Sequence, residues 1–249
     1  MPLTVSPSLD HPTLPEGQIL YAVGDIHGRL DLLAGLLGLI DLDAHASRPA
    51  DRRTLVFLGD YVDRGPDSRG VVERLIAEVP QGFDVHFLKG NHEAMLLAFL
   101  GDASRLDHWR MNGGEETMRS YGVDTERFAQ LGAPAHAWRQ AFAEALPEAH
   151  LRFFRDLQLS VSFGDYLFVH AGLRPGVPLA AQSEADLIWI RGPFLSHADP
   201  FDKIVVHGHT PGAEPVTRPN RIGIDTGAVF TGRLTALRLE DGSRKFLQT

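Results

Sequence analysis

The sequence contains no cysteine among its 249 residues. Disulfides, thiolate zinc sites and iron–sulfur clusters are therefore excluded, and a metal site would have to use His, Asp, Glu or Asn. That ligand set suits manganese, iron or zinc. No apolar run approaches the roughly 20 residues that a membrane span needs, so no membrane partner is expected and a cytoplasmic location is the default.

Positive charge is also scarce, with 24 Lys and Arg against 32 Asp and Glu and a net charge of -8. A broad nucleic-acid-binding surface is therefore not expected. Phosphate can still bind locally where metal ions and a few arginines supply positive charge. Residues 1–16 contain four prolines and no apolar h-region, which indicates a flexible leader, and residues 17–249 are expected to form one domain.

Strand–turn–helix units dominate the first part of the chain. Short apolar runs predict buried strands, and each run is followed by a polar turn and then by apolar residues at helical spacing. The strands are expected over residues 19–23, 54–58 and 84–88, and the helices over 30–42, 69–79 and 94–100. Because each polar turn follows a strand, the three turns should share one edge of a sheet.

Residues 101–157 differ from the rest because strand patterns disappear and helical segments alternate with Gly and Pro. We interpret them as a helical insertion or cap that shapes access to the core. The Gly113-Gly114 pair is consistent with a plain helix junction, or alternatively a hinge. Trp109, Trp138 and Phe153 are expected to form the core of this cap.

Strand patterns return after the insertion. The dipeptide Gly164-Asp165 separates two of them and predicts a hairpin. Hairpins indicate mixed sheets in an α/β protein, as opposed to a purely parallel doubly wound fold. The strands are expected over residues 158–163, 166–169, 203–206, 221–224 and 234–239.

Five of the predicted strands end in polar clusters that include potential metal ligands. Asp25 and His27 are two residues apart, so in extended backbone both side chains point the same way and can bind one ion. Asp60 can bridge that ion to a second one. Each cluster alone would be ordinary turn chemistry or a buried histidine, but five in order, each flanked by glycine, indicate a site with two metal ions. Asn91, His170 and a late histidine, His207 or His209, would complete it.

These motifs resemble the phosphoprotein phosphatase family of calcineurin-like metallophosphoesterases, in its bacterial and lambda-phage-like branch. The long motifs are Gly-Asp-Ile-His-Gly at residues 24–28, Gly-Asp-Tyr-Val-Asp-Arg-Gly at 59–65 and Gly-Asn-His-Glu at 90–93. Shorter matches lie at His170-Ala171-Gly172 and Gly208-His209-Thr210. The resemblance covers residues 18–240 apart from most of the insertion. It implies two mixed β-sheets packed together and flanked by helices, in four α/β/β/α layers.

The resemblance also implies the role of each residue. Asp25, His27 and Asp60 would bind the first metal ion, and Asp60, Asn91, His170 and His209 the second, with Mn²⁺ the most expected metal and Fe or Zn as alternatives. His92 would be the general acid, oriented by Asp63, while a metal-activated hydroxide attacks phosphorus in line. Arg64 and Arg191, with Asn91, would bind the substrate phosphate. His207 would be structural, since the family ligand corresponds to His209.

The predicted function is that of a serine/threonine protein phosphatase, with dual specificity or small phosphomonoesters as further options. The alternative is a symmetrical bis(5'-nucleosyl)-tetraphosphatase, and a more remote one is a non-catalytic scaffold of the same fold. Asp63 and Glu93 favour the phosphatase, because the tetraphosphatases tend to lack the aspartate and to carry Asp in place of Glu93. The eukaryotic motif that places a tyrosine near the metals is absent, so inhibitor sensitivity tied to it is not expected.

Overall fold

The structure is a computed structural model, and it describes residues 11–47 and 52–249. Within these residues the strands form two five-stranded sheets. The strands are β1 (Gln18–Val23), β2 (Arg52–Phe57), β3 (Phe83–Phe87), β4 (Ser160–Phe163), β5 (Tyr166–Val169), β6 (Ile204–His207), β7 (Val216–Arg218), β8 (Arg221–Gly223), β9 (Thr235–Glu240) and β10 (Ser243–Gln248).

The first sheet has the strand order β10-β9-β1-β2-β3. Strands β1, β2 and β3 run parallel, and β9 and β10 extend the sheet by antiparallel pairing. The three predicted strand–turn–helix units therefore do place their turns at one edge of a sheet, as expected for parallel neighbours.

The second sheet has the order β4-β5-β6-β8-β7. Strands β4 and β5 pair antiparallel around Gly164 and Asp165, while β5, β6 and β8 are parallel. The predicted hairpin and the predicted mixed sheets are both confirmed.

Successive side chains along each strand point to opposite faces of its sheet, so each sheet packs against the other sheet on one face and against helices on the other. In β1, Leu20 and Ala22 pack between the two sheets, whereas Tyr21 and Val23 face a cluster formed with helices. In β5, Phe168 packs between the sheets and its neighbours face helices on the outer side of the second sheet. The result is the four-layer α/β/β/α arrangement, because both faces of each sheet are buried.

Helices cover the outer faces of both sheets. Between β3 and β4 the chain is helical, and buried residues of that segment, Trp109 and Trp138 among them, share one apolar cluster with the first sheet. The helices are α1 (Leu30–Ala46), α2 (Ser68–Ala77), α3 (Asn91–Gly101), α4 (Leu106–Arg110), α5 (Gly114–Ser120), α6 (Thr125–Gln130), α7 (Ala135–Ala145), α8 (Glu148–Arg155), α9 (Glu184–Trp189), α10 (Gly192–Leu195) and α11 (Ala228–Thr231).

Two strands were not expected from the sequence. Strand β10 lies after the last predicted strand, and it pairs with β9 around Asp241 and Gly242. Both turn residues have positive φ, at 44° and 74°, which is the conformation of a tight hairpin turn. The Asp-Gly dipeptide was the available signal. Strand β7 is short and exposed, so no apolar alternation marks it.

The expected leader is only partly described, because residues 1–10 lie outside the described residues. Further along it, the backbone N–H of Thr13 donates to the Asp165 carboxylate at 2.9 Å. Leu14 is buried in the cluster between the two sheets. None of the described helices is both long enough and apolar enough to cross a membrane.

Candidate metal centre and active site

The turn after β1 places Asp25 and His27 at the centre of the shared edge, both almost fully buried. The Nδ1 atom of His27 lies 2.9 Å from the Val62 carbonyl oxygen. Because a carbonyl only accepts, Nδ1 carries the proton and Nε2 has a lone pair that can accept a hydrogen bond or bind a cation. That Nε2 lies 3.5 Å from a carboxylate oxygen of Asp60.

A backbone carbonyl also orients His170, which follows β5 of the second sheet. Its Nδ1 donates to the Leu58 carbonyl at 2.9 Å, so Nε2 faces the Asn91 side-chain oxygen at 3.0 Å and an Asp60 oxygen at 3.5 Å. A backbone carbonyl that fixes the tautomer of a histidine is the usual outer support of a metal ligand.

His209 follows β6, and its backbone N–H donates to the Asp25 carboxylate at 3.0 Å. Its Nε2 atom is buried and has no hydrogen-bond partner among the described residues. A buried nitrogen without a partner is costly unless something else binds it. Gly208 stands so close that a Cβ there would lie 2.0 Å from Asp25 Oδ1, so only glycine permits this approach.

The electrostatics of the cluster suit cations. Burial lowers the pKa of His27 and of His209 to about 3, so both imidazoles are neutral and able to donate lone pairs. Burial alone would raise the pKa of Asp60, but the four surrounding histidines outweigh it and lower that pKa. Burial, together with the carboxylates of Asp225 and Asp60, raises the pKa of Asp25 well above its usual value. A bound cation would relieve this crowding of carboxylates.

These residues fit two divalent ions. His27, Asp60 and His92 form one group with ligand atoms within 4.8 Å of one another, and Asp60, His170 and His209 form a second. Asp25, which the resemblance assigns to the first ion, belongs to neither group, and His92 stands in its place. Asp60 belongs to both groups, as a bridging carboxylate must. Neutral imidazole nitrogens with carboxylate and amide oxygens suit manganese, iron or zinc.

The backbone at the site is strained. Six described non-glycine residues have positive φ, and five of them are candidate site residues. Left-handed backbone is uncommon for residues with a Cβ and persists only where the surroundings hold it. These five are His27 at 47°, Asp60 at 52°, Asp63 at 72°, Arg64 at 68° and His209 at 64°.

Glu93 holds the strained turn that follows β2. Its carboxylate accepts the backbone N–H groups of Asp60 at 2.9 Å, Tyr61 at 2.7 Å and Val62 at 3.3 Å, and also that of Gly90 at 2.9 Å. Burial, and then the Asp60 charge, raise the pKa of Glu93 to about 7. Its side chain is fully enclosed, so it shapes the turn and does not face a substrate.

Replacing Glu93 with glutamine is expected to lower the free energy of unfolding by about 1–3 kcal/mol, because the amide NH2 would face buried backbone donors that need an acceptor. Urea unfolding measures the change. Glu73→Gln removes an exposed carboxylate paired with Arg69 and is the control, with an expected change below about 1 kcal/mol. Equal losses in the two variants would contradict the assigned role of Glu93.

His92 and Asp63 form a buried pair beside the cluster. His92 Nδ1 lies 2.7 Å from Asp63 Oδ2, and its Nε2 lies 3.9 Å from an Asp60 oxygen. Burial opposes protonation of His92, but the Asp60 and Asp63 carboxylates outweigh it and raise its pKa. A histidine held this way presents Nε2 to the cluster and can carry a proton there.

Two guanidinium groups border the cluster. Arg64 Nη1 donates to His27 Nε2 at 2.9 Å, and Arg191 Nη2 donates to the His209 carbonyl at 3.3 Å. Both arginines can therefore reach a phosphate placed against the same histidines. His207 points elsewhere: its ring packs edge-on to Phe194 with centroids 5.0 Å apart, and it belongs to neither ligand group.

Three residues at the site are not predicted from the sequence. Asp225 lies beside Asp25, and burial raises its pKa to about 6. Trp109 and Thr117 reach Asp63 from the helical insertion. Both residues lie near the Gly113-Gly114 pair in the sequence, but nothing in the sequence indicates that they contact Asp63.

Comparison with known proteins agrees with this geometry. The family model for calcineurin-like phosphoesterases matches residues 20–232. The asymmetrical bis(5'-nucleosyl)-tetraphosphatase PrpE of Anoxybacillus flavithermus is 28% identical over 242 residues, covering 87% of this chain and 88% of that protein. The protein of the same name from Bacillus thuringiensis is 29% identical over 236 residues, with the same coverage.

Solved structures share the fold at lower identity. A crystal structure provisionally assigned to a diadenosine tetraphosphatase has a TM-score of 0.64 at 24% identity and covers 95% of this chain and 96% of its own. A cold-active protein tyrosine phosphatase has a TM-score of 0.54 at 18% identity, covering 94% and 81%. The chain belongs to the calcineurin-like phosphoesterases, and it is a metal-dependent phosphoester hydrolase.

Proposed function

We propose that this phosphoesterase hydrolyses dinucleoside tetraphosphates. The observation that carries the proposal is the similarity, along 87% of the chain, to relatives named as asymmetrical bis(5'-nucleosyl)-tetraphosphatases. The sequence alone favoured a serine/threonine protein phosphatase, with Asp63 and Glu93 as the discriminating residues. Both side chains are fully buried, and Glu93 binds backbone N–H groups, so neither contacts the part of a substrate that differs between the two classes.

Divalent ions bound here would supply the positive charge that binds phosphoryl oxygens and activates water. We assign one ion to Asp25, His27 and Asp60, and the other to Asp60, Asn91, His170 and His209. The orphaned Nε2 of His209 and the neutral state of the buried imidazoles support this assignment.

The chain's own polar groups would then act on the phosphoryl group. Arg64 and Arg191 donate to its oxygens from two sides of the cluster. His92 gives a proton from Nε2 to the leaving oxygen, and Asp63 holds the ring through Nδ1. The help from His92 is greatest when the leaving oxygen is a basic alkoxide and smaller when it belongs to a nucleotide phosphate.

The greater help that His92 gives to an alkoxide leaving group favours a second candidate function. A buried, oriented His–Asp pair is most useful against phosphoserine or phosphothreonine, whose leaving group is an alkoxide. Protein phosphatase activity, predicted from the sequence, therefore remains the competing proposal for the same site.

A comparison of substrates tests the proposal. Purified chain with Mn²⁺ is expected to cleave diadenosine tetraphosphate with a kcat/KM at least about tenfold above that for a phosphoserine peptide, a difference of 1.4 kcal/mol in transition-state stabilisation. Chelator should abolish both activities, because both depend on the bound ions. The products distinguish the modes, because asymmetrical cleavage yields ATP and AMP whereas symmetrical cleavage yields two ADP. A tenfold preference for the peptide would overturn the proposal.

A further inference from the structure

The carboxylate of Asp63 is completely buried and receives three side-chain donors. His92 Nδ1 lies 2.7 Å from Oδ2. Trp109 Nε1 lies 2.9 Å from Oδ2 and 3.1 Å from Oδ1, and the Thr117 hydroxyl lies 2.6 Å from Oδ1. Two of these three donors come from the helical insertion, in α4 and α5.

The Thr117 hydroxyl binds Asp63 twice. It donates to the carboxylate, and it accepts the backbone N–H of the same residue at 2.8 Å. Ser68 Oγ, 3.0 Å from the Thr117 oxygen, lies beside both. One hydroxyl therefore ties the left-handed backbone of Asp63 to its side chain, which fixes the direction of the carboxylate.

The insertion also contacts the next residue along the turn. The backbone N–H of Arg64 donates to the Gly113 carbonyl at 3.2 Å. Gly113 has a φ of 96°, and a Cβ on it would lie 2.5 Å from the Arg64 nitrogen. The Gly113-Gly114 pair lies at the junction between α4 and α5, as predicted, and it also brings the insertion into close contact with the turn after β2.

We propose that Trp109 and Thr117 are positioning residues that hold Asp63 so that His92 presents Nε2 to the leaving oxygen. The inference rests on the proposed general-acid role of His92. A buried carboxylate needs hydrogen bonds in place of water, and one that loses a donor moves toward its remaining partners. The His92 ring would turn when the Asp63 carboxylate moves. Two residues of the insertion therefore help to position the proposed general acid.

Packing alone does not account for these contacts. Trp109 lies between the rings of Phe99 and Phe142, with centroids 5.1 Å and 5.2 Å away, and phenylalanine would fill most of that space. Valine has nearly the shape of threonine and would fill the site of Thr117. A purely structural role predicts that such replacements change stability but do not change selectivity between leaving groups.

The test compares variants that differ in one hydrogen bond. Thr117→Val and Trp109→Phe remove a donor to Asp63, and Thr117→Ser keeps it. Trp138→Phe is the matched control, since that indole is also buried in the insertion and donates to the Ala133 carbonyl, away from the site. Each variant is assayed with Mn²⁺ on ethyl phosphate, whose leaving oxygen needs a proton, and on p-nitrophenyl phosphate, whose leaving oxygen needs little help.

The ratio of kcat on ethyl phosphate to kcat on p-nitrophenyl phosphate is expected to fall about 10–100-fold in Thr117→Val and Trp109→Phe, the usual loss when an outer support of a site is removed. KM should change little, since the phosphate contacts remain. Thr117→Ser and Trp138→Phe should keep the wild-type ratio. In an Asp63→Asn background, adding Thr117→Val should have no further effect on the ratio.

A second measurement does not depend on turnover. In zinc-loaded protein, the NMR signal of the His92 Nδ1 proton is expected to shift toward that of a weaker hydrogen bond in Thr117→Val, and to stay unchanged in Trp138→Phe. An unchanged signal and an unchanged ratio in both donor-removing variants would overturn the inference. If His92→Asn, assayed in parallel, also leaves the ratio unchanged, the proposed role of His92 fails. In that case, or if the wild type cleaves neither phosphomonoester, the NMR signal alone decides whether Thr117 positions the ring.

Discussion

His92→Asn is expected to lower kcat on a phosphoserine peptide or ethyl phosphate by about 10²–10⁴-fold, the usual contribution of a general acid. The ring is held by Asp63 at 2.7 Å and presents Nε2 toward the metal cluster, whereas the amide of asparagine is not acidic enough to protonate a leaving oxygen. The loss on p-nitrophenyl phosphate should be far smaller, because that leaving group departs without protonation. Steady-state kinetics on the two kinds of ester measure the difference.

Metal content decides between two roles for His92. His92 forms a potential ligand group with His27 and Asp60, so it could bind an ion instead of donating a proton. If it is the general acid, His92→Asn keeps two bound ions per chain by elemental analysis. A variant that loses one ion and loses both activities equally would show that His92 is a ligand.

The positions of the predicted ligands followed from simple rules. Asp25, Asp60 and Asn91 each follow one of three strands that were recognisable as short apolar runs, and parallel strands bring such turns to one edge. His170 and His209 follow strands of the second sheet, which packs against the first. Sequence pattern therefore located the residues that converge at the site, because strand ends alone determine where they meet.

The supports of these residues could not be predicted in the same way. Glu93 binds three consecutive backbone N–H groups only because Asp60 has left-handed backbone, and side-chain periodicity carries no information on φ. Trp109 showed only the apolar character of a core residue. Its indole N–H reaches Asp63 because the insertion folds back over the first sheet, and that path depends on packing among several helices.

Asp60→Asn is expected to abolish binding of at least one metal ion and to lower turnover by more than about 10³-fold, since bound ions contribute several kcal/mol to transition-state stabilisation. Asparagine keeps the size of the side chain and can still accept the backbone N–H of His92, now 3.1 Å from Oδ1. What it loses is the charge that both ligand groups share. Elemental analysis and kcat with saturating Mn²⁺ measure the two effects.

Chelator should change the Tm of Asp60→Asn less than it changes the Tm of the wild type. Ions that bind only the folded chain stabilise it, by about 2.7 kcal/mol for each site at 100 times its Kd. Chelator should therefore lower the Tm of the wild type, and it should have less effect on Asp60→Asn because fewer ions are bound. Asp84→Asn, an exposed carboxylate on β3, is the control and should retain the metals, the turnover and the chelator response. Two bound ions in Asp60→Asn would rule out Asp60 as the bridge between the metals.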